Sequence, residues 1–145
     1  MAFQSGVEYR IQQKSSDRYL DAYSDAAHDY RAVTRVYQNN DTQRVRFTAL
    51  GGNTYRVQLQ SDHRYLDAYQ SNQDDHDYAC VTRPLQPDNN TQEWTFTLVG
   101  DDLYTIQQLS SSRFLDAYQT DAKDFGVVTR EWQNNDTQRW YVRPV

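Results

Sequence analysis

At 145 residues the chain is long enough for one compact domain around a single core and too short for a multidomain enzyme. Only 37% of it is hydrophobic and its mean hydropathy is −1.00, yet 14% is aromatic with 12 Tyr, a balance that excludes a disordered chain and predicts a small core under a polar, Tyr-rich surface. Fifteen basic against 20 acidic residues give a net charge of −5 without any Lys/Arg run, which excludes nucleic acid and anionic lipid as expected partners.

From the N-terminus, Met1 to Gly6 lacks the basic and apolar regions of a signal peptide, and no later stretch approaches the roughly 18 apolar residues that span a bilayer. The expectation is a protein without membrane insertion, cytoplasmic or secreted by a non-classical route. A first pattern then runs through Tyr9-Arg-Ile-Gln, Arg18-Tyr-Leu-Asp-Ala-Tyr23, His28-Asp-Tyr30, Val33-Thr-Arg35 and Gln38-Asn-Asn-Asp-Thr-Gln43. It returns as Tyr55-Arg-Val-Gln, Arg64-Tyr-Leu-Asp-Ala-Tyr69, His76-Asp-Tyr78, Val81-Thr-Arg83 and a loop ending at Gln92. A third copy reads Tyr104-Thr-Ile-Gln, Arg113-Phe-Leu-Asp-Ala-Tyr118, Asp124-Phe125, Val128-Thr-Arg130 and Gln133-Asn-Asn-Asp-Thr-Gln138. Asp21 and Asp67 lie 46 residues apart and Asp67 and Asp116 lie 49 apart, so three copies, about 7–53, 54–102 and 103–145, fill one domain of 1–145.

Each copy contains short β-branched and aromatic runs with period-two alternation, separated by Asn, Asp, Ser and Gly clusters, which predicts four strands per copy. On the second strand Leu20 and Ala22 share the core face, while Tyr19, Asp21 and Tyr23 share the other. Ile11, Val57 and Ile106 form one threefold apolar set, and Val45 with Phe47, Trp94 with Phe96 and Trp140 with Val142 form another. A lone four-stranded unit cannot bury its apolar face, so the all-β fold expected is a β-trefoil of twelve strands with pseudo-threefold symmetry. Six strands close a short barrel and six form hairpins capping one end.

The Leu-Asp-Ala strand, together with Gln92-Glu-Trp94 and Gln138-Arg-Trp140 and a degenerate Gln43-Arg-Val45, resembles the repeat of ricin-B-type lectins across all three copies. The resemblance implies a non-enzymatic, multivalent carbohydrate-binding protein whose partners are glycans, of galactose or N-acetylgalactosamine type, held at up to three shallow sites without cofactor or metal. It implies that Asp21, Asp67 and Asp116 bind vicinal hydroxyls, assisted by Asn40 and Asn135 and, in the second copy, by Asn89 or Asn90, of which Asn90 is carried as the candidate. Where the family stacks the sugar on an aromatic, this chain has Arg35, Arg83 and Arg130, residues suited to an acidic sugar or a hydroxyl pair. Stacking then falls to Tyr30, Tyr78 and Phe125, to Tyr23, Tyr69 and Tyr118, or to Tyr37 and Trp132.

Bland roles stand beside these. Asp21 and Arg35 and their equivalents are placed to pair across adjacent strands, or the aspartate to hold the following loop. Gln43, Gln92 and Gln138 are expected to satisfy loop backbone. The middle loop, with Pro84 and Pro87, is one residue longer, so the first and third sites are expected to be alike and the second altered.

Catalysis has little support: His28, His63 and His76 have no nucleophile partner motif, and Cys80, the only cysteine, reads as a buried inert thiol that excludes an internal disulfide. The acidic run Asp74-Asp75-His76-Asp77 lacks the spacing of a cation loop. The competing reading is a protein-binding trefoil such as a protease inhibitor, which would act through a loop unique to one copy, with residues 70–77 and 84–90 as candidates.

Overall fold

A computed structural model describes residues 3–73 and 77–145. The three copies contribute β1 (Tyr9–Gln13), β2 (Tyr19–Ala22), β3 (Ala32–Arg35) and β4 (Val45–Gly51); β5 (Thr54–Leu59), β6 (Tyr65–Ala68), β7 (Tyr78–Arg83) and β8 (Trp94–Gly100); and β9 (Leu103–Gln108), β10 (Phe114–Ala117), β11 (Val127–Arg130) and β12 (Trp140–Pro144). Antiparallel pairing of β1 with β4, β4 with β5, β5 with β8, β8 with β9, β9 with β12 and β12 with β1 closes a ring of six strands. Closure leaves this barrel no edge, and β2–β3, β6–β7 and β10–β11 form the three hairpins. The fold is the expected β-trefoil.

Strict alternation produces the barrel. In β1 and β5 every second residue is buried, which turns Tyr9, Ile11, Tyr55, Val57 and Leu59 inward. Ile11, Val57 and Ile106 meet Val45, Trp94 and Trp140 in one core, where the two indoles are completely buried and donate Nε1–H to the carbonyls of Leu66 (3.1 Å) and Leu115 (3.0 Å). Burying such a donor without that acceptor would be costly. Tyr9, Phe47, Tyr55, Phe96 and Tyr104 gather around Phe3, which stacks on Phe47 at 4.3 Å. The phenols hold this segment as well, Tyr9 accepting from the Gln4 amide at 2.8 Å and Tyr55 from the Phe3 amide at 3.3 Å.

The hairpins are joined into a cap by the residues between β2 and β3 and their equivalents. Asp29-Tyr30 and Asp124-Phe125 both take left-handed backbone, with φ of 52° and 50° in each pair. Aspartate tolerates that conformation; an aromatic residue does not take it without support. The support comes from the next copy: the Tyr30 carbonyl accepts from Thr82 N at 2.9 Å, and the Phe125 carbonyl from Thr34 N at 3.0 Å. Tyr78 pairs with Thr129 in the β7–β11 ladder. Cys80 is free and fully buried on β7, and desolvation pushes its thiol well above the usual range. Among the described residues no helix is long and apolar enough to cross a membrane, and no cluster of three His, Cys, Asp or Glu could hold a metal.

Candidate functional site

Asp21, Asp67 and Asp116 each stand third in a Tyr/Phe-Leu-Asp-Ala strand, on the face away from the barrel core. That face is nevertheless covered. The loop ending in Gln43, Gln92 or Gln138 folds over it, and the glutamine side chain is fully buried. Each glutamine donates Nε2–H to the aspartate Oδ2, at 3.0, 3.1 and 3.0 Å in chain order. The same amide nitrogen donates to the carbonyl of Val36, Pro84 or Glu131, and Oε1 accepts from the backbone N–H of Gln38, Gln86 or Gln133. The aspartate Oδ1 accepts from the next residue's N–H, on Ala22 (2.8 Å), Ala68 (2.7 Å) and Ala117 (2.7 Å). One glutamine therefore ties the loop to the hairpin and orients the carboxylate.

Shallow clefts open above two of these carboxylates. One, of 160 Å³, is lined by Asp21, Tyr23, Val33, Arg35, Gln38 and Thr42. The other, of 260 Å³, is lined by Asp67, Ala68, Tyr69, Gln70, Val81, Arg83, Gln86, Asn89 and Thr91. Asp21 and Asp67 keep 6% exposure, whereas Asp116 has none. The longer loop of the second copy leaves its glutamine bonds the same as in the first and third, and Asp116 is the most buried of the three carboxylates.

The rim comes from the single 3-10 turn before β4, β8 and β12. Asn40, Asn89 and Asn135 occupy the same position, immediately ahead of the turns Asp41–Gln43, Asn90–Gln92 and Asp136–Gln138. Asn89 and Asn135 cap their turns by accepting from Thr91 N (3.1 Å) and Thr137 N (3.2 Å), and Asn40 accepts from the Thr42 hydroxyl at 2.6 Å. The second-copy equivalent is thus Asn89, and Asn90 is corrected to the first residue of the turn, displaced by the inserted residue.

Of the two bland roles, Arg35 and Arg83 do not show pairing with the strand aspartates, which bond backbone N–H groups instead. Arg35 on β3 donates to the Asp124 carboxylate at 2.9 Å and to the Asp124 carbonyl at 3.2 Å, and Arg83 repeats both bonds on Asp29 at 2.9 and 3.2 Å. Arg130 donates Nε–H to Asp77 at 2.7 Å. Each clasp joins one copy to another. The physical reason is register: Arg35 lies opposite Tyr19, while Asp21 lies opposite Val33, so the fork leaves its own hairpin and meets the loop next door. Only Arg130 also approaches its own aspartate, with Nη1 3.9 Å from Asp116 Oδ2.

Tyr23 and Tyr69 complete these clasps by donating their hydroxyls to Asp124 (2.5 Å) and Asp29 while accepting from Arg35 and Arg83 at 3.0 Å. The accepting carboxylate raises both phenol pKa values, because ionising the phenol would break the bond and set two anions together. Tyr118 accepts from Asp77 N at 3.1 Å and lies 3.4 Å from its carboxylate. Tyr23 also stacks on His28 at 4.0 Å, and His28 Nδ1 lies 2.8 Å from Asp25, whose carboxyl is held below its usual range by that contact.

Tyr30, Tyr78 and Phe125 line neither described cleft. Arg64, Arg113 and Arg18 lie over their rings at 3.6, 3.7 and 3.6 Å, so a face of each is already covered by a cation. Each of these contacts lies at a seam between two copies. Tyr37 and Trp132 are exposed, at 53% and 47%, and pack edgewise on Tyr19 and at a tilt on Phe114, outside the clefts. Of the acidic run, residues 74–76, including His76, lie outside the described residues, and Asp77 serves the Arg130 clasp. His63 sits exposed in its turn. Sequence reasoning missed Asp29, Asp77 and Asp124; their recurrence before Tyr30, Tyr78 and Phe125 was the available signal.

A family model described as the ricin-type beta-trefoil lectin domain matches residues 7–140. No curated protein matches the chain in sequence. Among solved structures, the designed threefold-symmetric protein ThreeFoil is similar with a TM-score of 0.83 at 19% identity, over 95% of this chain and 99% of that one. The Rhizoctonia solani agglutinin gives 0.79 at 17% identity, over 100% and 99%. The Polyporus squamosus lectin, bound to the human-type influenza-binding epitope Neu5Aca2-6Galb1-4GlcNAc, gives 0.78 at 17% identity, over 99% of this chain and half of that one. At these identities the structural likeness establishes the trefoil, while the family match covers two copies of the repeat and the third as far as Trp140. This chain belongs to the family of ricin-type β-trefoil lectin domains.

Proposed function

We propose that this chain is a carbohydrate-binding lectin, with no catalytic step of its own, that holds glycans in the repeated clefts above Asp67 and Asp21. The observation that carries this reading is the oriented carboxylate on each cleft floor. Gln92 and the Ala68 N–H each use one acceptor position of Asp67, and a carboxylate offers about four. The remaining positions suit neighbouring sugar hydroxyls. Tyr69 and Arg83 form one wall, Ala68 and Val81 supply apolar surface, and Gln86, Asn89 and Thr91 offer amide and hydroxyl groups at the rim. The galactose within the epitope of the Polyporus squamosus lectin supports galactose and N-acetylgalactosamine as the sugars to try first.

Two open clefts on one molecule make the protein multivalent, with the fully buried Asp116 the weakest position. A shallow site with a dissociation constant near 1 mM contributes about −4 kcal/mol, so useful affinity arises by avidity on a multivalent glycan.

The test is a glycan array competed with free monosaccharides, followed by rim variants. Aspartate variants are poor probes, because Asn at position 67 would turn an N–H toward the donating Gln92 amide or the Ala68 N–H. Asn89→Ala should remove most array signal, Asn40→Ala less, and Asn135→Ala least. A blank array on folded protein would defeat the reading.

A further inference from the structure

The outer wall of the barrel carries a groove that no repeat explains. Arg10 on β1 and Arg143 on β12 are direct cross-strand partners, two like charges set opposite one another, an arrangement that disfavours pairing. At the equivalent positions Thr48 faces Arg56 and Thr97 faces Thr105, so the double arginine occurs once.

The other barrel-wall arginines, Arg143 included, have a carboxylate at ion-pair distance, and Arg10 has none among the described residues. Arg46 lies 3.6 Å from Glu8, and Arg56 lies 3.9 Å from Glu93. Among the described residues no carboxylate pairs with Arg10: Nη2 donates to Asn39 Oδ1 at 3.2 Å, and the buried Nε has no partner. Arg143 has Asp102 at 3.7 Å on one side and Gln12 Oε1 at 3.5 Å on the other. Both guanidinium groups also rest on rings, Arg143 at 4.1 Å from Tyr141 and Arg10 at 4.9 Å from Tyr37. Ring contacts hold a cation in place without cancelling its charge. The groove encloses 180 Å³ between Arg10, Gln12, Tyr19, Tyr141, Arg143 and Pro144.

We infer that this groove binds an anionic sugar unit, carboxylated or sulfated, at a site separate from the clefts above Asp21 and Asp67. The volume is below the roughly 300 Å³ at which drug-sized pockets begin, which suits a single ring. The Tyr19 ring, which carries no cation among the described residues, suits the C–H side of a pyranose, Gln12 suits a hydroxyl, and two guanidinium forks suit the oxygens of a carboxylate or sulfate. The acid supplies the negative charge that Arg10 lacks and that Arg143 has on one side only, from Asp102. The inference does not depend on the cleft reading, since the groove shares no residue with either cleft.

The experiment is an NMR titration of the 15N-labelled full chain with glucuronate and with N-acetylglucosamine 6-sulfate, alongside glucose, N-acetylglucosamine and galactose as neutral arms. The acidic probes should shift the amides of Arg10, Gln12, Tyr141 and Arg143 and weaken with added salt, and the tighter of the two assigns carboxylate or sulfate. Arg10→Gln and Arg143→Gln, with dispersed spectra confirming the fold, should each weaken binding about ten-fold, the effect of losing a charge-assisted contact. Equal shifts by neutral and acidic sugars, no shift with either acid, or unchanged affinity in both variants would overturn the inference. Galactose shifts at Asp67 and Tyr69 report the clefts independently, so failure of one site is separable from failure of the other.

Discussion

Two of the places where a barrel strand closes a copy are built around an indole, and the third is built without one. At Trp94–Gln108 and Trp140–Gln13 the cross-strand partners form a polar bracket over a buried ring. Gln108 and Gln13 donate to the carbonyls of Thr91 (2.8 Å) and Thr137 (2.9 Å) and accept from Ser111 and Gln70 or from Ser16 and Gln119. At the third place Val45 faces Leu59, Asp62 stands where the others have Ser16 and Ser111, and Ser24 stands where they have Gln70 and Gln119. An apolar pair has replaced an indole and an amide, and the residues that served the amide have changed with it. The remaining void, beside Leu20, Val45, Leu59 and Leu66, is only 10 Å³, so the surroundings have closed around the smaller side chain. The trefoil accepts either chemistry when the whole bracket changes together.

Breaking one bracket from within gives the largest effect. Trp140→Ala removes a completely buried ring and strands the Leu115 carbonyl, and should cost about 3–5 kcal/mol in urea unfolding. Val45→Ala at the equivalent position removes two methyl carbons and no hydrogen bond, and should cost about 2 kcal/mol. Equal losses at the two positions would show that the indole adds nothing beyond what Val45 provides.

Imposing the apolar chemistry on only part of a polar bracket should cost less. Gln108→Leu copies Leu59, but it leaves the Thr91 carbonyl and the Gln70 amide without their partner while Trp94 still fills the core. The expected loss is about 2 kcal/mol by the same measurement, as for a buried polar group left unpaired. No loss would mean that Leu59 needed none of its companion changes.

The sequence makes this comparison readable only in part. The degenerate Gln43-Arg-Val45 and the apolar sets are local features, so the strands, the trefoil and the core were legible. The strand aspartates and loop glutamines were legible as separate motifs. Their union was not, because Asp21 and Gln43 meet only when the copy closes on itself. The clasps were harder still: Arg35 reaches Asp124 across 89 positions, and which copy supplies the acid depends on how the three hairpins ring the cap. Phe3 precedes the repeat, so periodicity says nothing of the ring that fills the centre of the Tyr9, Phe47 and Tyr55 cluster.

The clasps also offer a smaller perturbation, one that pH can read. Tyr69→Phe deletes one bond to Asp29 and one from Arg83 and should cost about 1.5 kcal/mol at neutral pH. The raised phenol pKa gives the sign of the pH effect. The unfolded chain releases this proton near pH 10.0, and the folded chain holds it to higher pH. The stabilisation is therefore complete below pH 10.0 and is lost as pH rises through the folded value. Urea unfolding of the wild type between pH 8 and 11 should show that decline, and Tyr69→Phe should make it shallower, Tyr23 and Tyr104 keeping the rest. Parallel curves would show that the clasp does not couple to the phenol.

The smallest expected effect is a gain, and it repairs the one partner left behind where Leu59 replaced an amide. Asp62 Oδ1 accepts from Arg64 N at 3.1 Å, as the Ser16 and Ser111 hydroxyls accept from Arg18 and Arg113 at 3.2 Å. Its Oδ2 is buried with no donor, and Leu59 supplies none; Ser16 and Ser111, at the equivalent place, each donate to a glutamine Oε1 instead. Asp62→Ser keeps the acceptor for Arg64 and deletes the unpaired oxygen, so it should stabilise the protein by about 1 kcal/mol. The control is Ser111→Asp, which sets a carboxylate beside the Oε1 of Gln108, an acceptor against an acceptor, and should destabilise by a similar amount. A gain at position 62 with a loss at 111 would establish that serine and glutamine form a unit. A loss at both would mean that Asp62 finds a donor in solution and that the apolar junction has already completed its own repair.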